Sequence, residues 1–436
     1  MSGFDTVIGY DDIKAELKRF CDVLKHSEKY EKLGVTLPSG ILFYGEPGIG
    51  KTLMARTFID ETGCKSYTIR KDKPDGDFTN QIRETFDKAR KELKSIVFLD
   101  DMDKFANEDE AHPDAEEYIT VQACIDDSRD DGVFVIATIN DKRCLPKSLI
   151  RTGRFDKIIE MKAPGLEDTI KLTDYYLQNR SVSNDVDTGE IARIMAGKPI
   201  SDLKTAINEA GINAGFEGRS TIEKEDIIKA IIRLLFESPE CSSNNSDGFE
   251  TVLIHELGHV IVAEELEPGS VSLVSVENHN GSVGGVTLIR PPVENKLSVE
   301  ALEHKVIWGL GGRAATEIIF GRPDMGSNTD LHKCFEILEE IQSMQALNGF
   351  ESFERFINYA SLMDDRRSLL MANEMENCYQ KAKTIIAKNR PLLRILASAL
   401  EKEKTLTSKD IRGIIDSLDV LQDDMDVEAV LVHDVV

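Results

Sequence analysis

Basic charge, paired cysteines and long apolar runs are all scarce in this chain of 436 residues. Acidic side chains outnumber basic ones by 78 to 53, and the resulting charge of -25 repels a phosphate backbone, which argues against nucleic acid as the main partner. The seven cysteines form no C-x-x-C pair and stand singly at Cys21, Cys64, Cys124, Cys144, Cys241, Cys334 and Cys378, a pattern of free thiols that fits a reducing compartment. No apolar run approaches the roughly 20 residues of a membrane span. The first residues, M-S-G-F-D-T-V-I-G-Y, show neither the basic nor the apolar region of a leader. A cytoplasmic protein with no membrane span is expected. The length calls for two or three domains.

Histidine is scarce too, 8 in all, so its placement is informative. Two fall four apart in Thr251 to Glu264, T-V-L-I-H-E-L-G-H-V-I-V-A-E. On a helix, positions i and i+4 share a face, so His255 and His259 can reach one ion. Zinc takes imidazole nitrogen at about 2.0 to 2.1 Å, and a catalytic site leaves its fourth position for water. Glu256 can take that water's proton, which makes H-E-x-x-H a peptide-hydrolysing arrangement. A buried helix with two satisfied histidines competes, and chance yields the motif in roughly one such chain in a hundred. A third ligand is therefore required, and spacing does not choose among Asp330, His332, His304 and Glu317. Val262 and Glu265 exclude the pattern H-E-x-x-H-x-x-G-x-x-H.

A second site lies upstream. After a helical stretch from Phe4 to Leu33, the strand Ile41 to Tyr44 runs into Gly45-Glu46-Pro47-Gly48-Ile49-Gly50-Lys51-Thr52, and a helix from Leu53 follows. Strand, G-x-x-x-x-G-K-T, helix is the context of a phosphate-binding loop, in which Lys51 reaches the β and γ oxygens and Thr52 offers its hydroxyl to magnesium. The buried strand Ile96 to Leu99 ends in Asp100, a magnesium ligand, and Asp101, which can orient the attacking water. Gly132 to Ile139 ends at Asn140, placed as a sensor of the γ-phosphate. Arg151 and Arg154 sit on a turn from which they could act on a neighbouring subunit's phosphate. Alternating strands and helices imply a parallel sheet with its site at the strands' carboxyl ends.

The order of these motifs resembles one family, the FtsH-type AAA+ ATP-dependent zinc metalloproteases, from F-D-T-V-I-G-Y-D-D-I-K at Phe4 to about Ile415. The resemblance implies an α/β P-loop AAA+ domain with a helical lid, a mostly α-helical zinc metalloprotease domain, protein substrates and a homo-oligomeric, hexameric ring using ATP, Mg2+ and Zn2+. It implies boundaries at 1–160 for the α/β domain, 161–237 for the lid, 238–248 for a linker rich in Ser and Asn, 249–418 for the protease domain and 419–436 for an acidic tail. It places Ile8, Gly9 and Leu53 at the nucleotide beside the phosphate loop and Asp100. It identifies Asp330 as the third zinc ligand: the family's G-G-R-x-A-E-E and G-A-x-N-D-L segments match Gly311-Gly312-Arg313-Ala314-Ala315-Thr316-Glu317 and Gly326-Ser327-Asn328-Thr329-Asp330-Leu331. Val283 to Ile289 resembles the family's edge strand beside the metal, able to hold an extended polypeptide by strand addition.

Three departures set further expectations. Asp101 stands where the family has glutamate, one methylene longer, so hydrolysis is expected to slow while nucleotide binding is kept. The family's aromatic pore loop is reduced to R-K-D-K-P-D-G-D-F-T, with Phe78 its one aromatic, which leaves either Phe78 in that role or no pulling on folded substrates. The stretch that resembles the family does not include its membrane-spanning region, so soluble clients or a soluble partner are expected. Two alternatives follow: a peptidase whose nucleotide domain is a regulatory switch, and a nucleotide-dependent remodelling platform with structural zinc.

Overall fold

The computed structural model describes residues 3–35, 38–71, 77–92, 94–106, 115–129, 131–146, 148–149, 153–236, 248–277, 284–290, 298–324, 326–345 and 364–418. It divides into two compact units, Met1–Ile231 and Ile232–Val436.

In the first unit, α1 (Asp11–Lys25) and α2 (Ser27–Glu31) precede β1 (Gly40–Tyr44), α3 (Lys51–Thr62), β2 (Lys65–Ile69), α4 (Phe78–Ala89), β3 (Ser95–Leu99), α5 (Ala115–Asp127), β4 (Val133–Ile139) and β5 (Lys157–Glu160). The five strands form one parallel sheet in the order β2-β3-β4-β1-β5. Successive strand side chains point to opposite faces, and here both faces are covered, so β1, β3 and β4 read as unbroken apolar runs. Ile41, Phe43, Ile96, Phe98, Phe134 and Ile136 pack with Leu17, Met54 and Phe58 of α1 and α3. Leu42, Val97, Leu99, Val135 and Ala137 pack with Ile82 and Phe86 of α4 and Val121 and Ile125 of α5. Four helices follow: α6 (Leu166–Leu177), α7 (Thr188–Met195), α8 (Ile200–Phe216) and α9 (Lys224–Phe236). The sequence pattern anticipates β1, β3 and β4 but not β5, a short half-exposed edge strand reading K-I-I-E, nor α5.

The second unit is built around α10 (Phe249–Leu266), buried without interruption from Leu253 to Glu264. A helix apolar all round needs neighbours all round. They are β6 (Val271–Ser275), β7 (Val286–Ile289), α11 (Val299–Gly309), α12 (Gly311–Phe320), α13 (Asn328–Gln345), α14 (Asp364–Lys388), α15 (Arg390–Glu403) and β8 (Thr405–Thr407). The strands form an antiparallel sheet, β7-β6-β8, with β7 at its edge. Leu257, Val260 and Ile261 share one core with Trp308, Leu338 and Leu396. The linker residues 238–247 and the tail 419–436 lie outside the described residues. Among the described residues, no helix is long and apolar enough to cross a membrane.

Candidate functional site

Because β3, β4 and β1 are neighbours, the residues that end them converge. Gly45, Gly48 and Gly50 hold φ of 147°, 80° and 94°, backbone that L side chains resist and that turns N–H groups inward. Lys51 opens α3, and its ammonium donates to the Gly45 and Glu46 carbonyls, 2.7 Å each, and to Asn140 Oδ1 at 3.0 Å. Burial lowers its pKa, against the opposing pull of Asp103 and Asp101. Thr52 donates its hydroxyl to Asp100 Oδ1 at 3.0 Å, and Thr138 donates to the same oxygen at 2.9 Å. The hydroxyl and carboxylate expected to share magnesium are thus already joined. The sequence reading passed over Asp103, whose Oδ2 accepts both the backbone N–H and Nδ2 of Asn140 at 3.0 Å and so aims that amide at Lys51. Its signal was the D-D-M-D spacing at the end of β3.

Asp101 lies in the left-handed region, φ 54° and ψ 49°, and its carboxylate pairs with Lys104 at 2.7 Å. Ile8 and Gly9 are carried to the loop by the next residue: the Tyr10 hydroxyl lies 2.9 Å from the carbonyl oxygens of both Ile49 and Lys162. Leu53 is exposed on α3, as are Glu46, Pro47 and Gly48 on the loop, whereas Ile49 is buried.

Two expectations are corrected here. Arg154 is not held out toward a neighbour: it is 1% exposed, forms a double ion pair with Asp126 at 2.8 and 2.5 Å, and donates to the Ser148 carbonyl. A buried guanidinium keeps its partner because losing it would strand a charge. Arg151 lies outside the described residues. Phe78 is 4% exposed in the core, edge-on to Phe105 with ring centroids 5.2 Å apart, so it is not an exposed grip on substrate. Residues 72–76 of that loop lie outside the described residues.

In the second unit, His255 and His259 project from α10, and Asp330 comes from the first turn of α13. The two Nε2 atoms are 3.0 Å apart, and Asp330 Oδ2 is 3.2 Å from one and 3.6 Å from the other. Three ligands of a tetrahedral ion at 2.0 to 2.1 Å lie about 3.3 Å from one another, so this donor set fits zinc. Each ring's other nitrogen is occupied: His259 Nδ1 faces the Trp308 carbonyl at 2.7 Å, and His255 Nδ1 faces Asp324 at 3.3 Å. Burial opposes charge on His255, but the carboxylates of Asp324 and Asp330 reverse this and push it up to about 10, while both carboxyls sit below their usual range despite burial. The carboxylates of Asp324 and Asp330 would likewise favour a bound cation in place of that proton.

The other ligand candidates are elsewhere. His304 pairs with Glu267 at 2.8 Å, Glu317 with Lys383 at 2.7 Å, and His332 is exposed. Glu256 is buried beside the metal ligands, and its Oε2 accepts the Thr287 hydroxyl of β7 at 2.7 Å. Gly285 gives it room: a Cβ there would stand 2.4 Å from Glu256 Cγ. Gly312 does the same for His255, whose ring atoms would meet a Cβ at 2.6 to 2.7 Å. The expected edge strand is β7, Val286–Ile289, which lies against Glu256 through Thr287; Gly284 and Gly285 precede it, and Val283 is outside the described residues. A second cluster, Glu303, Glu374 and Cys378, is poorer, because burial pushes the thiol up to about 12 and Glu303 is already paired with Lys381.

Comparison with known proteins finds a matching family for each unit. The family model of the ATPase family associated with various cellular activities (AAA) matches residues 41–163, and that of Peptidase family M41 matches residues 245–414. The ATP-dependent zinc metalloprotease FtsH of Methylococcus capsulatus is 30% identical over 446 residues, covering 94% of this chain and 70% of the relative. FtsH 2 of Thermoanaerobacter sp. is 27% identical, covering 94% of this chain and 82% of the relative, and FtsH of Thermobaculum terrenum is 28% identical, covering 94% and 68%. With a phosphate loop and its acids at one end of a parallel sheet, and two helical histidines, a carboxylate and a glutamate in the next unit, the chain belongs to the FtsH family of ATP-dependent zinc metalloproteases.

Proposed function

We propose that this chain is an ATP-dependent zinc endopeptidase in which His255, His259 and Asp330 hold the ion and Glu256 is the general base. The observation that carries the reading is the convergence within 3.6 Å of two Nε2 atoms from α10, the helix that also carries the buried Glu256, and a carboxylate oxygen from the first turn of α13. Zinc, when bound, supplies the Lewis acidity that lets water attack a peptide carbonyl at neutral pH. Glu256 takes the water's proton and passes it to the leaving nitrogen, with Thr287 fixing its orientation. The edge of β7 offers backbone donors and acceptors to an extended polypeptide.

ATP is held by Gly45 to Leu53 with Ile8 and Gly9, and Mg2+ by Thr52 and Asp100. Asp101, a methylene shorter and drawn to Lys104, is a weakened water-orienting acid, and Asn140, aimed by Asp103, senses the phosphate. We assign the trans contact to Arg151, with Arg154 and Asp126 bracing the turn that carries it. The assembly is a homo-oligomer, a hexamer by analogy with the family, acting on protein substrates; the scattered cysteines, with no C-x-x-C pair, support a cytoplasmic setting. The unit boundary at Ile231 supports reading residues 1–160 as the α/β domain, 161–237 as its lid and 249–418 as the protease domain.

The test measures zinc content and cleavage of an unfolded protein with ATP, with a non-hydrolysable analogue and with Glu256→Gln. Stoichiometric zinc and cleavage lost in Glu256→Gln are expected. Cleavage under both nucleotides would favour a nucleotide switch, and none under either would favour a remodelling platform.

A further inference from the structure

The two metal-site histidines are steadied by different kinds of acceptor. His259 Nδ1 meets a main-chain carbonyl, Trp308 O, whereas His255 Nδ1 meets a side chain, with both oxygens of Asp324 at 3.3 Å. Asp324 lies between α12 and α13, and its side chain is only 9% exposed. Its carboxylate accepts the Ser327 hydroxyl at 2.6 Å and the Gly326 N–H at 2.9 Å, and the Thr316 hydroxyl lies 3.2 Å from Oδ1. Thr316 itself is fully buried on α12, one turn beyond Gly312, the residue against which the His255 ring rests.

Thr316 is also where this chain breaks its family's pattern, since G-G-R-x-A-E-E carries an acid at that position. Glutamate is longer than threonine, and the Thr316 hydroxyl already lies within hydrogen-bond distance of Asp324. An acid at 316 would therefore bring its carboxylate into the space that Asp324 fills. An acid at 316 and Asp324 would compete there for volume and repel on charge.

We propose that Asp324, braced by Thr316 and Ser327, is the positioning carboxylate of the metal centre in this chain, fixing the tautomer and ring of His255. The inference rests on the zinc reading above. Asp324 touches neither ion nor substrate; it accepts the Nδ1 proton, which leaves Nε2 as the lone-pair donor to zinc and raises its basicity. Loss of such an outer carboxylate costs about 10- to 100-fold in metal affinity.

The experiment is a chelator competition for zinc on the full chain, comparing wild type, Asp324→Ala, Asp324→Asn and the exchange Thr316→Glu/Asp324→Ala, with far-UV circular dichroism of each metal-free protein. The expected result is a zinc Kd weakened about 10- to 100-fold in Asp324→Ala, less in Asp324→Asn, which keeps an acceptor, and recovered in the exchange variant. Recovery by a carboxylate delivered from another helix is a result that a merely structural role for Asp324 would not give. A Kd within twofold of wild type in Asp324→Ala, or an exchange variant no better than that single variant, would overturn the inference while leaving the zinc reading intact. If Asp324→Ala fails to fold, Asp324→Asn carries the decision: unchanged affinity there overturns the proposal. A wild-type protein that takes up no zinc overturns both readings.

Discussion

Glycine at 285 is dictated by the carboxylate it faces. A methyl group there would stand 2.4 Å from Glu256 Cγ and 2.8 Å from its Oε1, so Gly285→Ala must displace the general base or the edge of β7. A misplacement of about 1 Å can cost on the order of a hundredfold in rate. Peptide cleavage should therefore fall by roughly that factor, with zinc content unchanged by elemental analysis; lost zinc together with lost cleavage would contradict it. Asp101 poses the opposite problem, a side chain too short. Its carboxylate turns to Lys104 at 2.7 Å, away from the role a longer acid fills. Asp101→Glu should raise the ATP turnover number, by up to about a hundredfold, with little change in nucleotide affinity, and steady-state ATPase kinetics beside a fluorescent-nucleotide titration would check both halves.

Helix α10 must cross α12 with backbone against backbone. A Cβ on Gly258 would meet the Gly311 carbonyl oxygen at 2.3 Å, and one on Gly311 would meet that of Gly258 at 2.5 Å. This explains why the helix carrying the histidines includes a glycine despite its low helix propensity. Overpacking of this kind costs about 1 to 3 kcal/mol. Gly258→Ala should lower the melting temperature even without metal, and an unchanged melting curve would mean that the helices separate at little cost. In α9, Asp226 accepts two hydrogen bonds from Arg219, both 2.6 Å, and these hold its carboxyl below the usual range. The folded pKa is depressed, so this stabilisation is complete above the ordinary carboxyl value and is lost as pH falls through the depressed one. Asp226→Asn should cost roughly 1.5 to 3 kcal/mol at pH 7, and the gap to wild type should close progressively in urea unfolding on the acid side of about pH 4.

Each unit has its own core, one around α10 and two on the faces of the parallel sheet. Ligand binding stabilises the unit that binds, by about 2.7 kcal/mol at a hundred times Kd. In calorimetry of the whole chain, chelation of zinc should lower one transition and magnesium nucleotide should raise the other. A single transition moved equally by both ligands would show that the units do not unfold separately.

The sequence by itself determined the chemistry that rests on contiguous spacing. H-E-x-x-H and the phosphate loop each sit within a single strand, turn or helix, so local periodicity is enough to read them. Unbroken apolar runs at β1, β3 and β4 likewise marked a sheet covered on both faces. Only tertiary structure decided what depends on distant elements meeting. It brought Asp330, the residue the resemblance pointed to, up to the two histidines, while partners or exposure hold His304, Glu317 and His332 elsewhere. It placed Asp103 behind Asn140 and Asp324 behind His255, contacts spanning 37 and 69 positions of sequence. It also withdrew Arg154 and Phe78 into the interior, where Asp126 and Phe105 wait for them. A side chain's type states what it can do; which neighbour reaches it first is settled by packing, and packing is a property of the whole fold.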